Sequence, residues 1–197
     1  GGAGYIAAIT AAGGHLGALS ELVRRSIEAQ KNGDNLNENE LEFLEQMFGE
    51  FEGEENQDFL EFVDTIENSE HLEDSLIVEL KESLSGSVLA TSDERIGGQY
   101  QNVPEDVRQI VQGPRTPAPS SPYGNWTEEF RELSKFFSHA DQNIQGGTDF
   151  SAELTGTISR ALYNENFGDP STQGIPDSEL QTMLDISTRN VDANYAV

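Results

Sequence analysis

The sequence contains no cysteine among its 197 residues. This absence excludes disulfide bonds, cysteine-ligated zinc sites and thiol nucleophiles, while leaving the redox compartment open. Positive charge is also scarce, because three Lys and eight Arg stand against 36 Asp plus Glu, and the formal net charge is −25. Such a surface repels nucleic acid and anionic membranes, so a protein or a cation is the expected partner. The same composition fits either a salt-adapted host or a secreted protein.

Long apolar runs are missing as well. No segment approaches the roughly 20 consecutive apolar residues of a membrane-spanning helix, so we expect no membrane span. Residues 1–23 are rich in Gly, Ala and Ile but lack the basic start of a signal peptide. The abrupt ends suggest a fragment of a longer chain. We expect residues 1–197 to form one helical domain, secreted or at the cell surface, or otherwise cytoplasmic.

Apolar side chains recur at spacings of three and four residues along most of the chain, which is the pattern of amphipathic helices. No run of alternating polar and β-branched residues is long enough for a sheet. We therefore predict an all-α fold, an irregular bundle of about six to eight helices without a fixed-period repeat. Helices are expected over residues 16–30, 37–49, 56–66, 68–92, 126–137, 149–162 and 176–186, and shorter helical segments over residues 4–12 and 105–111.

Several residue types mark the expected helix ends. Gly33 suits a left-handed C-terminal cap. Asn37, followed three residues later by Glu40, predicts a capping box at the start of the next helix. Further N-terminal caps are predicted at Asn68 or Ser69, Asn125 and Asp149.

Residues 93–124 are rich in Pro and Gly and are predicted to form a central loop. Proline blocks regular structure and favours extended backbone, above all in residues 116–122. A short helix near residues 105–111 interrupts the predicted loop, with Pro104 at its first turn. We interpret the segment as a surface connection, although such sequences also bind proline-reading modules.

Acidic residues are concentrated between Asp34 and Glu94, where 20 of them accompany one basic residue, Lys81. Such a cluster predicts either a solvated outer face of helices, the interpretation that we favour, or an acidic docking face. The candidate docking residues are Glu40, Glu45, Glu52, Glu61, Glu73 and Glu82.

No set of residues predicts a metal, a cofactor or a catalytic centre. A calcium loop starting at Asp34 would need Gly at its sixth position, where Asn39 stands. His139 and Asp141 form a weak candidate polar pair that could orient a general base. We interpret His139 instead as a partly positive residue in the last turn of a helix.

Three short phrases occur in order: residues 33–41 (GDNLNENEL), residues 89–93 (LATSD) and residues 133–141 (LSKFFSHAD), the last followed by Phe150 and Leu154. Together they resemble the central helical region of actinobacterial proteins labelled "TPR repeat region", over roughly Leu16 to Asn190. Those proteins resemble type VII secretion substrates, with a WXG-type helical hairpin before the region and a variable, sometimes toxic, domain after it. This chain departs from them at Ala140, where the family has Gly, and in its Pro-rich insert.

Three functions are compatible with these patterns. The resemblance implies a non-enzymatic scaffold or linker in a secreted, toxin-like protein, whose partner would be secretion machinery, a chaperone or an immunity protein. The acidic face suggests an adaptor with a groove for a partner's helix or basic segment. A carboxylate-based hydrolase would require an Asp or Glu with a strongly raised pKa in a cleft.

Overall fold

The computed structural model describes residues 14–51, 58–114, 126–166 and 174–194. Within these ranges every regular element is helical, which confirms the all-α prediction, and there are nine α-helices rather than six to eight. They are α1 (Leu16–Asn32), α2 (Glu38–Gly49), α3 (Phe59–Glu67), α4 (Asp74–Ser92), α5 (Glu105–Gln112), α6 (Trp126–Phe137), α7 (Thr148–Asn166), α8 (Asp177–Thr188) and α9 (Val191–Asn194). Two 3-10 turns, Glu94–Ile96 and Tyr100–Asn102, lie between α4 and α5. The predicted helix 4–12 and the predicted cap Asn125 lie outside the described residues.

The predicted ends of α1 and α2 are confirmed. Gly33 has a φ of 69° and donates its N–H to the carbonyl of Ala29. At the start of α2, the Asn37 side chain accepts from the Glu40 N–H at 2.8 Å. The Glu40 carboxylate accepts from the Asn37 N–H at 2.9 Å, which completes the capping box.

The predicted start of α4 at Asn68 or Ser69 is wrong. The helix begins at Asp74, and Asn68 instead stands at the C-terminal end of α3. Its side-chain amide donates to the Asp64 carbonyl at 3.0 Å. Asparagine can cap either end of a helix because it carries both a donor and an acceptor, so its position alone did not decide between the two ends.

Helix α4 runs through the middle of the protein and is almost continuously buried from Ser83 to Ser92. Small side chains on it allow α1 to approach closely. A Cβ atom at Gly86 would lie 2.9 Å from a methyl carbon of Val23 on α1. The hydroxyl oxygens of Ser20 and Ser83 are 3.0 Å apart in the same interface.

A chain of aromatic contacts links helices from both halves of the sequence. The Phe59 ring at the start of α3 makes edge contacts with Phe48 on α2 and Phe136 on α6, each with ring centroids 5.6 Å apart. Phe136 contacts Phe137, which in turn contacts Phe150 on α7. Such pairs contribute about 0.5–1.5 kcal/mol each beyond the burial of their area. The described helices therefore share one hydrophobic core.

The predicted loop 93–124 is corrected over residues 94–112. The two 3-10 turns and α5 occupy this stretch, although the short helix itself was predicted. Its apolar side chains are fully buried: Val103, Val107, Ile110 and Val111. The indole N–H of Trp126 donates to the carbonyl of Ile110 at 3.0 Å. The Pro- and Gly-rich composition of this stretch therefore led us to predict a loop where the chain contributes to the core. Residues 116–122 of the predicted loop lie outside the described ranges.

A buried polar junction joins α1, the end of α4 and the segment before α7. Its centre is the Asp93 carboxylate, which is 0% exposed. Asp93 accepts from the Arg95 guanidinium at 2.9 and 3.1 Å, from the Arg95 backbone N–H at 3.0 Å and from the Gln30 side chain at 2.9 Å. Gln30 also donates to the Gln145 carbonyl and accepts from the Gln145 N–H, 115 residues away.

The same junction caps the start of helix α7, so the prediction that Asp149 caps this helix is wrong. The Thr148 N–H, the first of the helix, donates to the Glu94 carboxylate at 2.7 Å. The Gly147 N–H donates to the Ser92 hydroxyl at 3.0 Å. Asp149 lies within the first turn, so the negative charge that caps the N–H groups of α7 comes from a residue distant in sequence.

Candidate functional site

An acidic cleft of about 360 Å³ lies between α3, α5 and α6. Its lining side chains are Asp58, Leu60, Glu61, Asp64, Asp106, Gln109, Ile110, Glu129 and Glu132. Six of these are carboxylic acids, and no Lys, Arg or His is among the described residues that line the cleft. The cleft is therefore a concave region of negative potential, in which low-dielectric walls strengthen the field of the charges.

Asp106 is the most enclosed acid of the cleft, and it receives hydrogen bonds from two helices. One carboxylate oxygen accepts from the Leu60 N–H in the first turn of α3 at 2.8 Å. The other accepts from the N–H of Val107 on its own helix at 3.0 Å. Asp58, which stands at the N-cap of α3, makes no side-chain cap bond. Asp106 of α5 thus caps the N-terminus of α3, a role that the N-cap residue Asp58 does not fill.

The pKa of Asp106 is raised by its surroundings to about 6. Burial is the largest cause, because it penalises the charged carboxylate. The N–H groups of Leu60 and Val107 lower the pKa, and the nearby charge of Asp58 raises it again. Desolvation therefore outweighs the two hydrogen bonds, and the carboxyl group takes up a proton close to physiological pH.

Glu129 on α6 is shifted in the same direction. Burial is the largest cause of its raised pKa, and the charges of Glu132 and Asp58 raise the pKa further. Much of the Glu129 side chain still reaches solvent, so it stands at the mouth of the cleft. A cleft with this distribution of charge can accept an ammonium or guanidinium group, and its protonated members can donate a hydrogen bond.

Comparison with known protein families identifies the chain. The profile of a family described as TPR repeat domain matches residues 18–197. The chain belongs to this TPR repeat domain family. No curated protein and no solved structure is similar enough to match it.

A TPR repeat is a pair of helices that recurs about every 34 residues. Within the described ranges of this TPR repeat domain, helix lengths run from 4 to 19 residues, and 3-10 turns interrupt the series. These irregular lengths explain why no fixed period stands out from the sequence. In the same ranges, no helix is both long enough and apolar enough to cross a membrane.

The six glutamates predicted as a docking face lie on different parts of the TPR repeat domain. Glu61 lines the acidic cleft. Glu40 is held in the capping box of α2 and lies 3.4 Å from Arg25 of α1. Glu45, Glu73 and Glu82 are exposed, on α2, before α4 and on α4, and Glu52 lies outside the described residues.

Sequence reasoning missed the central residue of the cleft. Asp106 lies in the first turn of a correctly predicted short helix, a position where acidic residues are common. Nothing in the local sequence distinguishes it from the other 35 acidic residues. Only the packing of α5 against α3 makes it a cap for a second helix.

The predicted pair of His139 and Asp141 makes no hydrogen bond between its side chains in the described structure. His139 lies just after α6, and burial, followed by the charge of Lys81, lowers its pKa. A lowered pKa disfavours the partly positive form that was expected of this histidine. Asp141 accepts from the Asn143 N–H at 2.8 Å, which makes it a turn residue.

No metal site is found in the described parts of the chain. No group of three or more His, Asp or Glu side chains there is arranged to hold a metal ion. The carboxylates of the acidic cleft are thus spread along its walls. Their arrangement suits the charged end of a side chain better than a small, multiply coordinated ion.

Proposed function

We propose that this TPR repeat domain is a non-enzymatic scaffold that binds a protein partner through a basic side chain inserted into the acidic cleft. The cleft, which has six carboxylic acids and no lining cation, is the observation that carries the proposal. Arg is the preferred occupant, because its planar guanidinium can pair with two carboxylates at once and is more weakly hydrated than the Lys ammonium.

The cleft gives the binding both an electrostatic and a geometric basis. The net charge of −25 attracts any basic segment toward the protein. Inside the cleft, Glu61 of α3 and Glu129 of α6 both line the walls. The charges of Glu132 and Asp58 raise the pKa of Glu129, so a cation bound there would relieve this repulsion. A charge pair of this kind, partly shielded from solvent, stabilises a complex more than a pair on a convex surface.

The test uses a fluorescent dodecapeptide that contains four Arg, with a second peptide in which citrulline replaces each Arg. Citrulline keeps the shape of the side chain and removes its charge. Anisotropy would measure affinity for the protein, for Glu61→Gln/Glu129→Gln, and for the matched control Glu45→Gln/Glu73→Gln. Both double variants lose the same formal charge, but only the first alters the cleft.

We expect the cleft variant to bind the Arg peptide at least about fivefold more weakly, since each lost pair contributes about 0.5–1 kcal/mol. The control variant should lose less than about twofold, because it changes only the long-range attraction. The citrulline peptide should not bind measurably. Equal losses in both variants would show that binding follows overall charge, and the cleft would then have no special role.

We further propose that the domain belongs to a secreted, toxin-like protein associated with type VII secretion, where it would join a secretion module to an effector. The support is the ordered set of phrases between residues 33 and 154. In that setting the partner would be secretion machinery, a chaperone or an immunity protein. Sequencing the gene on both sides of the domain tests this, because we expect a helical hairpin before it and a separate domain after it. Finding neither would contradict the proposal.

A carboxylate-based hydrolase is the second candidate, favoured by the raised pKa of Asp106 within a cleft. Against it, both oxygens of this carboxylate already accept backbone N–H groups. These bonds orient Asp106 toward the helices and leave little of it for a substrate. The scaffold therefore accounts better for the geometry, and Asp106→Asn would abolish any hydrolysis if the second candidate were correct.

A further inference from the structure

Two helix N-termini converge on one carboxyl group in the acidic cleft. Asp106 lies in the first turn of α5 and also accepts from the Leu60 N–H of α3. Since Asp58 provides no side-chain cap, Asp106 supplies the side-chain hydrogen bond to the first turn of α3, beside the apolar packing of Phe59. A change in the charge of the Asp106 carboxyl group therefore affects the N-termini of both α3 and α5.

The charges that surround Asp106 are almost all of its own sign. Helix α3 and its N-cap present Asp58, Glu61 and Asp64, and α6 presents Glu129 and Glu132. On α5 itself, Glu105 is exposed, and the Arg108 guanidinium bonds to the Val103 carbonyl and the Gln101 side chain.

Helix α7 also packs against α5, through Thr157 and the Val111 carbonyl. No charged residue of α7 lines the cleft within the described residues. The hydrogen bonds to Asp106 come from backbone N–H groups, and like charges dominate the lining of the cleft.

We propose that the acidic cleft is a proton-operated clamp, in which proton uptake by Asp106 on mild acidification tightens the packing of α3 against α5 and α6. At neutral pH the carboxylates repel one another and α3 opens more often. As pH falls, Asp106 becomes neutral while one of its oxygens can still accept the Leu60 N–H. The clamp operates without any partner, so it does not depend on the proposed binding function.

Proton linkage determines whether acidification stabilises or destabilises the packing of α3. The pKa of Asp106 is about 6 in the folded state and 3.8 in the absence of the surrounding structure. A raised folded pKa means that the native state binds the proton more tightly, so stability increases as pH falls through about 6 and levels off below 3.8. With these two values, and with Asp106 fully exposed to water when α3 opens, the opening constant of α3 should fall about fourfold between pH 7.5 and 5.5, and about tenfold between pH 7.5 and 5.0.

Amide hydrogen exchange of Phe62, Val63 and Ile66 would measure this opening, after correction for the intrinsic pH dependence of exchange. The wild-type protein is compared with Asp106→Asn, which keeps an acceptor oxygen but cannot titrate. Asp74→Asn is the matched control, because Asp74 also lies in the first turn of a helix but is exposed and outside the cleft.

We expect the opening constant of wild type and of Asp74→Asn to fall about tenfold by pH 5.0. In Asp106→Asn the opening constant should already be low at pH 7.5 and should change little as the pH falls. The same pH dependence in all three proteins, or an opening of α3 that increases on acidification, would overturn the proposal. Should Asp106→Asn fail to fold, titration of the wild-type Asp106 carboxyl carbon by NMR decides: a midpoint near 6 supports the clamp, and one near 4 refutes it.

Discussion

Replacing Asp93 by Ala should destabilise the protein far more than removing the other acidic partner of the same arginine. Asp93 is fully buried and accepts four hydrogen bonds, three of them from Arg95 and one from Gln30. Asp93→Ala removes the buried anionic acceptor of the Arg95 guanidinium and of the Gln30 amide, so the guanidinium keeps only weaker or more exposed partners such as Asp192. Removing one member of a buried ion pair costs about 3–5 kcal/mol. Because the Arg95 side chain is 30% exposed and can recover some hydration, we expect about 3 kcal/mol.

Asp192→Ala is the matched control. Asp192 contacts the same guanidinium at 3.5 Å, but its side chain is 64% exposed. A solvent-exposed ion pair contributes at most about 1 kcal/mol, so this variant should lose no more than that. The two substitutions are chemically identical and share one partner, and the difference between them measures the burial of Asp93 together with its additional hydrogen bonds.

Urea unfolding followed by far-UV circular dichroism and by the fluorescence of Trp126, the single tryptophan, would measure both losses. With a slope of about 2 kcal/mol per molar urea, the midpoint should shift by about 1.5 M for Asp93→Ala and by less than about 0.5 M for Asp192→Ala. Similar shifts for the two variants, with unchanged slopes, would refute the view that Asp93 is the centre of the polar junction.

Two further measurements address the close approach of backbone in the junction and the charge of the surface. Gly147→Ala should lower the free energy of unfolding by about 1–3 kcal/mol, since its Cβ would lie 2.1 Å from the Ser92 carbonyl oxygen. The matched variant Gly17→Ala has open space around its new Cβ, so it should be neutral or stabilising in the same urea assay. The melting temperature should rise with added NaCl, because salt screens repulsion among exposed acids beyond about 8 Å at physiological ionic strength; a flat or falling response in calorimetry would contradict this.

The parts of the fold that were predictable are those decided by local sequence. Apolar spacing indicated α1, α2 and α6 because each helix buries one face whatever its neighbours are, and Pro104 marked the start of α5. The capping box of Asn37 and Glu40 involves residues three positions apart, so their identities were sufficient to predict it.

The parts that were missed depend on contacts between distant segments. Gly98 looked like a loop residue, yet its Cβ would lie 2.3 Å from the Thr91 carbonyl oxygen, so glycine is required there by close backbone packing. The cap of α7 comes from Glu94, 54 residues before the N–H that it accepts. In the candidate site, Asp106 became distinct only through its bond to Leu60, 46 residues away. Among 36 acidic residues, composition could not reveal that Asp93 and Asp106 would be the enclosed ones.

The bonds between Gln30 and the backbone of Gln145 have a consequence for how the chain is made. Their partners are 115 residues apart, so α1 leaves the ribosome long before the segment that completes its environment has been synthesised. The polar junction around Gln30 therefore remains incomplete until the carboxy-terminal third emerges, although α1 can already pack on α4. During that interval the abundant negative charge of the nascent chain helps to keep neighbouring copies apart.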